Sequence, residues 1–240
     1  MTADAMEHLL AVQATDTHAT QLRTRRQGLP ERAEAVEVAA ALRGVQERQA
    51  AVDDERHRLD RDQARLEDEI AGLRAKSVQA DQALYSGTVT NPRELKALQD
   101  DLASRARRIA ELEDRELELL VEREPVDAAT IEVAAERAVL EARAAELAAR
   151  ITAAEAEIDV ELDRVLGGRA EVAASVPADL LAEYEELRAA NGGIGVARLE
   201  HGTTCGGCHL QLSAMERDRI RGLPDDTRVH CEECGRLLVR

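Results

Sequence analysis

All four cysteines of the chain lie in its last forty residues, as two Cys-x-x-Cys pairs: Cys205 and Cys208 in TTCGGCH, Cys231 and Cys234 in VHCEECGR. One tight turn can aim two thiolates at a single ion. A second pair after twenty-two intervening residues can close a tetrahedron around Zn²⁺. With four protein ligands the coordination sphere is full, whereas a catalytic zinc keeps one position for water or substrate; the pattern therefore predicts one structural Zn²⁺. Gly206, Gly207 and Gly235 are expected to supply positive backbone angles in the two turns. Two disulfides or a redox dithiol are the alternatives. The first needs an oxidising compartment, and the second usually accompanies a βαβ pattern that the sequence lacks. His209 and His230 adjoin ligands and are read as solvated or as hydrogen-bonding to sulfur, not as ligands. Zinc binding in such modules contributes about 10 to 16 kcal/mol at neutral pH. It would replace the apolar core that so short a segment lacks, so without metal the segment is expected to be disordered.

The remainder of the chain is built to hold that centre on long helices. It has two tyrosines, no Phe and no Trp, and 33% charged residues. A mixture rich in Ala, Glu, Arg and Leu with an apolar repeat points to coiled coil. Residues 4 to 27 read as a helix of poor periodicity, through Leu9, Leu10, Val12 and Leu22, and Gly28 to Pro30 interrupt it. A heptad follows: Val45, Val52, Leu59, Leu66, Leu73 and Ala80 form one series and Leu42, Ile70 and Leu84 the other, thinned by Gln49, Arg56 and Gln63. It stops at Tyr85. After a turn near 86 to 91, Asn91, Pro92 and Glu94 supply a cap, a first helical residue and an acid for a new helix. The heptad resumes through Leu95, Leu102 and Ile109, and in the other series through Leu98, Leu112, Leu119, Val126, Val133, Leu140 and Leu147. Its phase is unbroken at Pro125, so that proline is read as a kink within one helix that ends or frays at Gly167 and Gly168.

Two arms of nearly equal length predict an antiparallel hairpin over residues 1 to 176; a parallel coiled coil between chains is the alternative, and a monomer is favoured. Residues 177 to 240 form the second expected domain. It begins with a short amphipathic helix presenting Leu180, Leu181, Tyr184 and Leu187, then a strand over 194 to 200. A helix over 214 to 221 opened by a Ser213/Glu216 capping box follows, and then a terminal strand over Leu237, Leu238 and Val239 that can pair with the first. The fold class is thus mainly α, a long helical hairpin with a small Cys₄ zinc ribbon.

With both ends in view the chain resembles a bacterial family of C4-type zinc ribbon proteins with an N-terminal coiled coil. The resemblance is carried by LYSGTVTNPRELKALQ (84 to 99), LLAEYEELR (180 to 188), GVARLE and the paired CGGC and CEECGRLL. It implies a helical hairpin with a zinc ribbon at its base. Members are described as nucleic-acid binding by analogy with other ribbons, which is weak warrant for function.

Charge bounds the partners. The formal net charge is −16, against a general affinity for nucleic acid, and the ribbon balances six basic residues with six acidic ones, Asp225 among them. The tip differs: between residues 74 and 108 seven basic side chains outnumber four acids, and Tyr85 and the only two lysines, Lys76 and Lys96, flank the turn. Candidate partner contacts are Tyr85, Arg93, Lys96, Arg105 and Arg107 at the tip and Arg217, Arg219, Arg221 and Arg228 in the ribbon. No phosphate loop, nucleophile elbow or open metal site appears, so no catalytic residue is assigned. The expected function is a non-catalytic adaptor contacting a protein partner; a nucleic-acid (RNA or DNA) binding regulator is the alternative. With no signal-peptide core and no run of eighteen uncharged apolar residues, the expected location is the cytoplasm, with no membrane contact and no small-molecule substrate.

Overall fold

The computed structural model describes residues 3 to 224 and 226 to 240; Asp225, counted above among the ribbon acids, lies outside them. The elements in order are α1 (Ala3–Gln27), α2 (Pro30–Tyr85), α3 (Pro92–Ala173), α4 (Ala178–Ala190), β1 (Val196–Glu200), β2 (Thr204–Cys205), α5 (Ala214–Gly222), β3 (Val229–His230) and β4 (Leu237–Val239). They fall into two compact units, Glu34–Glu146 and the pair of segments Met1–Ala33 with Leu147–Arg240.

In the first of these units α2 and α3 run antiparallel and bury a heptad seam of Val38, Val45, Leu59, Ile70 and Ala80 against Leu112, Leu119 and Val133. The polar seam positions of α2 do not face apolar partners. Gln49 Oε1 accepts from the Arg137 guanidinium at 3.0 Å and Gln63 Oε1 from that of Arg123 at 3.0 Å, so polar layers meet polar layers. Arg123 also pairs with Asp60 at 2.9 Å. The turn forms where expected: Gly87 takes φ 73°, and the Asn91 Oδ1 accepts from the Arg93 amide at 3.0 Å, capping α3. α3 is continuous through Pro125, as its phase predicted. It also passes through Gly167 and Gly168 to Ala173, which corrects the expected fraying there: the last turns are held by tertiary packing that outweighs the roughly 1 kcal/mol helix cost of each glycine.

In the other unit α1 owes its weak periodicity to a stripe in which polar residues occupy core positions. Ala5, Leu9, Val12, Asp16, Ala19 and Leu22 are all buried at helical spacing. The apolar members near its start join Val176, Leu180 and Tyr184 and one face of the ribbon sheet; Leu22 joins Leu29 and Ile158. At the centre is a buried ionic group. The Asp16 carboxylate accepts two hydrogen bonds from Arg169, at 2.7 and 3.1 Å, and a third from the Tyr184 hydroxyl at 2.8 Å, while Arg188 lies 3.5 Å away. Burial, followed by the carboxylate beside it, pushes the Tyr184 phenol well above its usual range.

The four-stranded sheet has the order β2-β1-β4-β3, with β1 and β4 parallel and the outer pairs antiparallel. The terminal strand therefore pairs with the strand before the first knuckle, as expected. Alternation along β1 and β4 sends Val196, Leu237 and Val239 to the α1 and α4 side, and Ala197 and Leu238 to the cysteine side with Leu212, Ile220 and Val229. The expectation of a ribbon without an apolar core is corrected: both faces of this small sheet are covered.

Candidate metal centre

The two knuckles are built alike. The Cys205 amide donates to Leu210 O at 3.0 Å and the His209 amide to Cys205 O at 2.8 Å; in the second knuckle the Cys231 amide donates to Arg236 O at 2.9 Å and the Gly235 amide to Cys231 O at 2.8 Å. Each loop closes with a left-handed residue four positions after its first cysteine, Gly235 at φ 74° and His209 at φ 61°. This corrects the assignment of positive angles to Gly206 and Gly207. Those two are glycine because the chain is crowded: a Cβ on Gly206 would meet Arg198 O at 3.0 Å, and one on Gly207 would meet Arg236 Cδ at 2.6 Å.

The four Sγ atoms lie within 4.8 Å of one another. Cys205 Sγ to Cys234 Sγ and Cys208 Sγ to Cys231 Sγ are both 3.9 Å, far beyond the roughly 2.05 Å of a disulfide. A tetrahedron with zinc–sulfur bonds of about 2.3 Å needs sulfurs about 3.8 Å apart, so the cluster fits one structural Zn²⁺. Amides aimed at sulfur complete the fit. The Gly207 N–H donates to Cys205 Sγ at 3.4 Å. Before metal binds, burial pushes the Cys231 thiol up to about 12. Burial also acts upward on Cys234, but hydrogen bonds from the amide and guanidinium of Arg236 and from Cys231 and Cys208 together outweigh it and bring that thiol down to about 7. Bound zinc supplies the positive charge that holds all four as thiolates.

Arg236 ties the centre to its support, donating to Ile194 O and Asn191 O, each at 2.9 Å. Gln13 of α1 holds the same loop: its amide donates to Gly193 O at 2.9 Å and accepts from the Gly195 amide at 2.8 Å. Neither Gln13 nor Arg236 was singled out from the sequence. Only the arginine had a usable signal, its place two residues after a ligand. His230 turns from the sulfurs to Glu183 at 2.8 Å, and His209 is exposed. The Ser213 hydroxyl caps α5 by accepting from the Glu216 amide at 3.1 Å. The expected return bond from Glu216 is replaced, because its carboxylate is forked onto Arg219 at 2.6 Å and Glu232 takes the Ser213 amide instead.

The ribbon arginines are mostly engaged within the protein. Arg219 pairs with Glu216, Arg221 with Asp218 at 3.3 Å, and Arg228 with Asp179 and Glu183 of α4. Arg217 borders a small cavity of about 200 Å³ with Ile220 and Leu199. At the tip Arg105 pairs with Asp101 at 2.6 Å, Arg74 with Glu113 and Arg108 with Glu69. Lys76, Arg93, Lys96 and Arg107 have no ion-pair partner among the described residues, and Tyr85 is 81% exposed.

A long helical hairpin followed by four thiols converging at tetrahedral spacing defines a coiled-coil protein with a structural zinc ribbon. Residues 12 to 192 match the family described as CT398-like coiled coil hairpin domain, and residues 204 to 238 match the C4-type zinc ribbon domain. The chain belongs to the CT398-like coiled-coil hairpin family. It is 34% identical over 232 residues to the uncharacterized protein Rv2229c of Mycobacterium tuberculosis, covering 97% of this chain and 94% of that one. A solved Mycobacterium smegmatis structure superposes with a TM-score of 0.90 at 26% identity, over 100% of this chain and 98% of that one. CT398 from Chlamydia trachomatis shares the fold, with a TM-score of 0.70 at 20% identity over 98% and 97% of the two chains.

Proposed function

We propose that the chain is a non-catalytic adaptor whose hairpin tip engages an acidic protein surface. The observation that carries this reading is a set of four cations without an ion-pair partner among the described residues, Arg93 and Lys96 beside the turn with exposed Tyr85, and Lys76 and Arg107 further along the two helices, in an otherwise acidic molecule. Free cations with an amphipathic ring suit a contact that is steered by charge and anchored by an aromatic group. Beside them Ser77, Val78, Asp81, Leu102, Ala106 and Ile109 line an open groove of about 360 Å³. A thiolate shell with all four positions filled leaves the zinc no place for substrate, which supports a structural role for the metal.

A protein partner is favoured over nucleic acid, because the net charge is −16, aromatic residues for stacking are scarce, and phosphates approaching the ribbon would have to displace carboxylates from Arg219, Arg221 and Arg228. No described membrane-length apolar helix exists, so no span is invoked. In-cell cross-linking with the native chain and with Arg93→Glu/Lys96→Glu/Arg107→Glu tests the reading. Partners captured by the native chain should fall at least tenfold with the variant, and identical capture by both removes the tip as a contact. RNA or DNA binding at low ionic strength that weakens steeply with salt would instead favour the nucleic-acid regulator.

A further inference from the structure

α3 is apolar on two sides. Its seam residues Leu119, Val126 and Val133 face α2, where Arg123 and Arg137 reach Gln63 and Gln49. Two residues back along the helix, about 200° round it, lies a second stripe. Leu117, Leu120, Val121, Ile131 and Val139 stand exposed there, Ile131 by 71% of its surface. Alanines at 128, 135 and 138 fill the three- and four-residue steps between them, so the stripe carries the spacing of a coiled-coil seam while α2 occupies the opposite side. Exposed large apolar residues elsewhere among the described residues are mostly scattered; this run of five within one helix span marks an interaction face.

Charge identifies the occupant. Residues 117 to 146 hold eight acids and three arginines, and all three arginines reach across to α2: Arg123 to Asp60, Arg137 to Gln49, Arg143 to Glu34. Glu118, Glu132, Glu141 and Glu146 border the stripe, three of them paired along the helix with Arg115, Arg137 and Arg143, and Glu124 stands within it. Glu124 and Glu132 have no ion-pair partner among the described residues. A second copy of the chain fits badly. Laid antiparallel with Glu132 at the centre it would set Glu132 against its own equivalent and Glu118 against Glu146, and laid parallel it would bring Glu141 beside Glu146; opposed like charges at these flanks disfavour those pairings.

We propose that this outer face of α3 docks a basic amphipathic helix of a partner protein, with Lys or Arg bracketing its apolar residues. The face is independent of the tip contact, and the two are separable by experiment. The probes are two fluorescent peptides of about four heptads with the same Leu/Ala seam, one bordered by lysine and one by glutamate, titrated into the zinc-loaded full chain. The lysine peptide should bind. Ile131→Asp, at an exposed position that leaves the helix signal unchanged, should weaken it at least tenfold. Glu124→Lys/Glu132→Lys should weaken it severalfold and give the glutamate peptide measurable affinity. The tip variant should bind the lysine peptide as the native chain does, whatever the fate of the tip proposal. Absence of binding, equal binding of both peptides, or binding indifferent to Ile131→Asp would overturn the assignment. So would a native dimer, seen by sedimentation, that Ile131→Asp converts to monomer.

Discussion

Arg236 shows how one side chain can serve both the metal and the fold. Its amide and guanidinium lower the Cys234 thiol, while its guanidinium is anchored on Ile194 O and Asn191 O. Its Cδ fills the space where a side chain on Gly207 would sit. Gly207→Ala should therefore push Arg236 off its carbonyls and cost about 1–3 kcal/mol, read by chemical denaturation of the zinc-loaded protein. Cys234→Ser should lower bound zinc from one per chain, by metal analysis, with the helical circular dichroism retained. Asp16 makes the sharper case at this scale. It lies buried between Arg169 and the Tyr184 hydroxyl, so Asp16→Ala leaves that hydroxyl without its acceptor and the two arginines with Glu185 alone, and should cost about 1–3 kcal/mol. Tyr184 gives the pH signature. Its folded form keeps the proton above the ordinary value of 10.0, so the unfolded chain ionises first and stability falls as pH rises past that point. With Tyr85→Phe to isolate the signal, phenolate absorbance should appear together with loss of structure; phenolate formation in a still-folded chain would contradict the burial argument.

At the scale of elements, the hairpin is held by an apolar seam divided by polar layers. Leu59 is fully buried, and Leu59→Ala should cost about 2–5 kcal/mol. The Gln49–Arg137 layer works differently. Polar seam pairs give up stability for a single alignment, so Gln49→Leu combined with Arg137→Leu should raise the denaturation midpoint while loosening register. Cysteine pairs placed across the seam would trap slipped alignments in that variant and not in the native chain, and a lowered midpoint would show the layer to be a net stabiliser. These elements were legible because helices and their ends are written locally: the heptads of α2 and α3, the turn near 86 to 91 and the Asn91 cap are read within a few residues of one another. α1 was harder to read. Its buried stripe runs through Asp16 and Gln13, and a count of apolar residues sees gaps where the core has polar members.

Across the whole molecule the two compact units have separate cores, and the four cysteines lie in the one that contains residues 147 to 240. Chelation should lower its calorimetric transition and leave that of residues 34 to 146 in place; equal shifts in both would contradict this division. The net charge of −16 is likewise unevenly spread: among the described residues, cations without an ion-pair partner lie toward the tip, and Glu124 and Glu132 on the outer face of α3 have none either. Taken alone, the sequence determined the hairpin, its turn, the four ligands and the pairing of the terminal strand, because spacing along a helix or within a knuckle sets direction in space. Only the tertiary structure decided that Asp16 would meet Tyr184, 168 residues away, that Gln13 would hold the loop beneath the second knuckle, and that Arg228 would be engaged by α4. Such contacts depend on which surfaces the folded chain brings together, and local spacing carries no record of that.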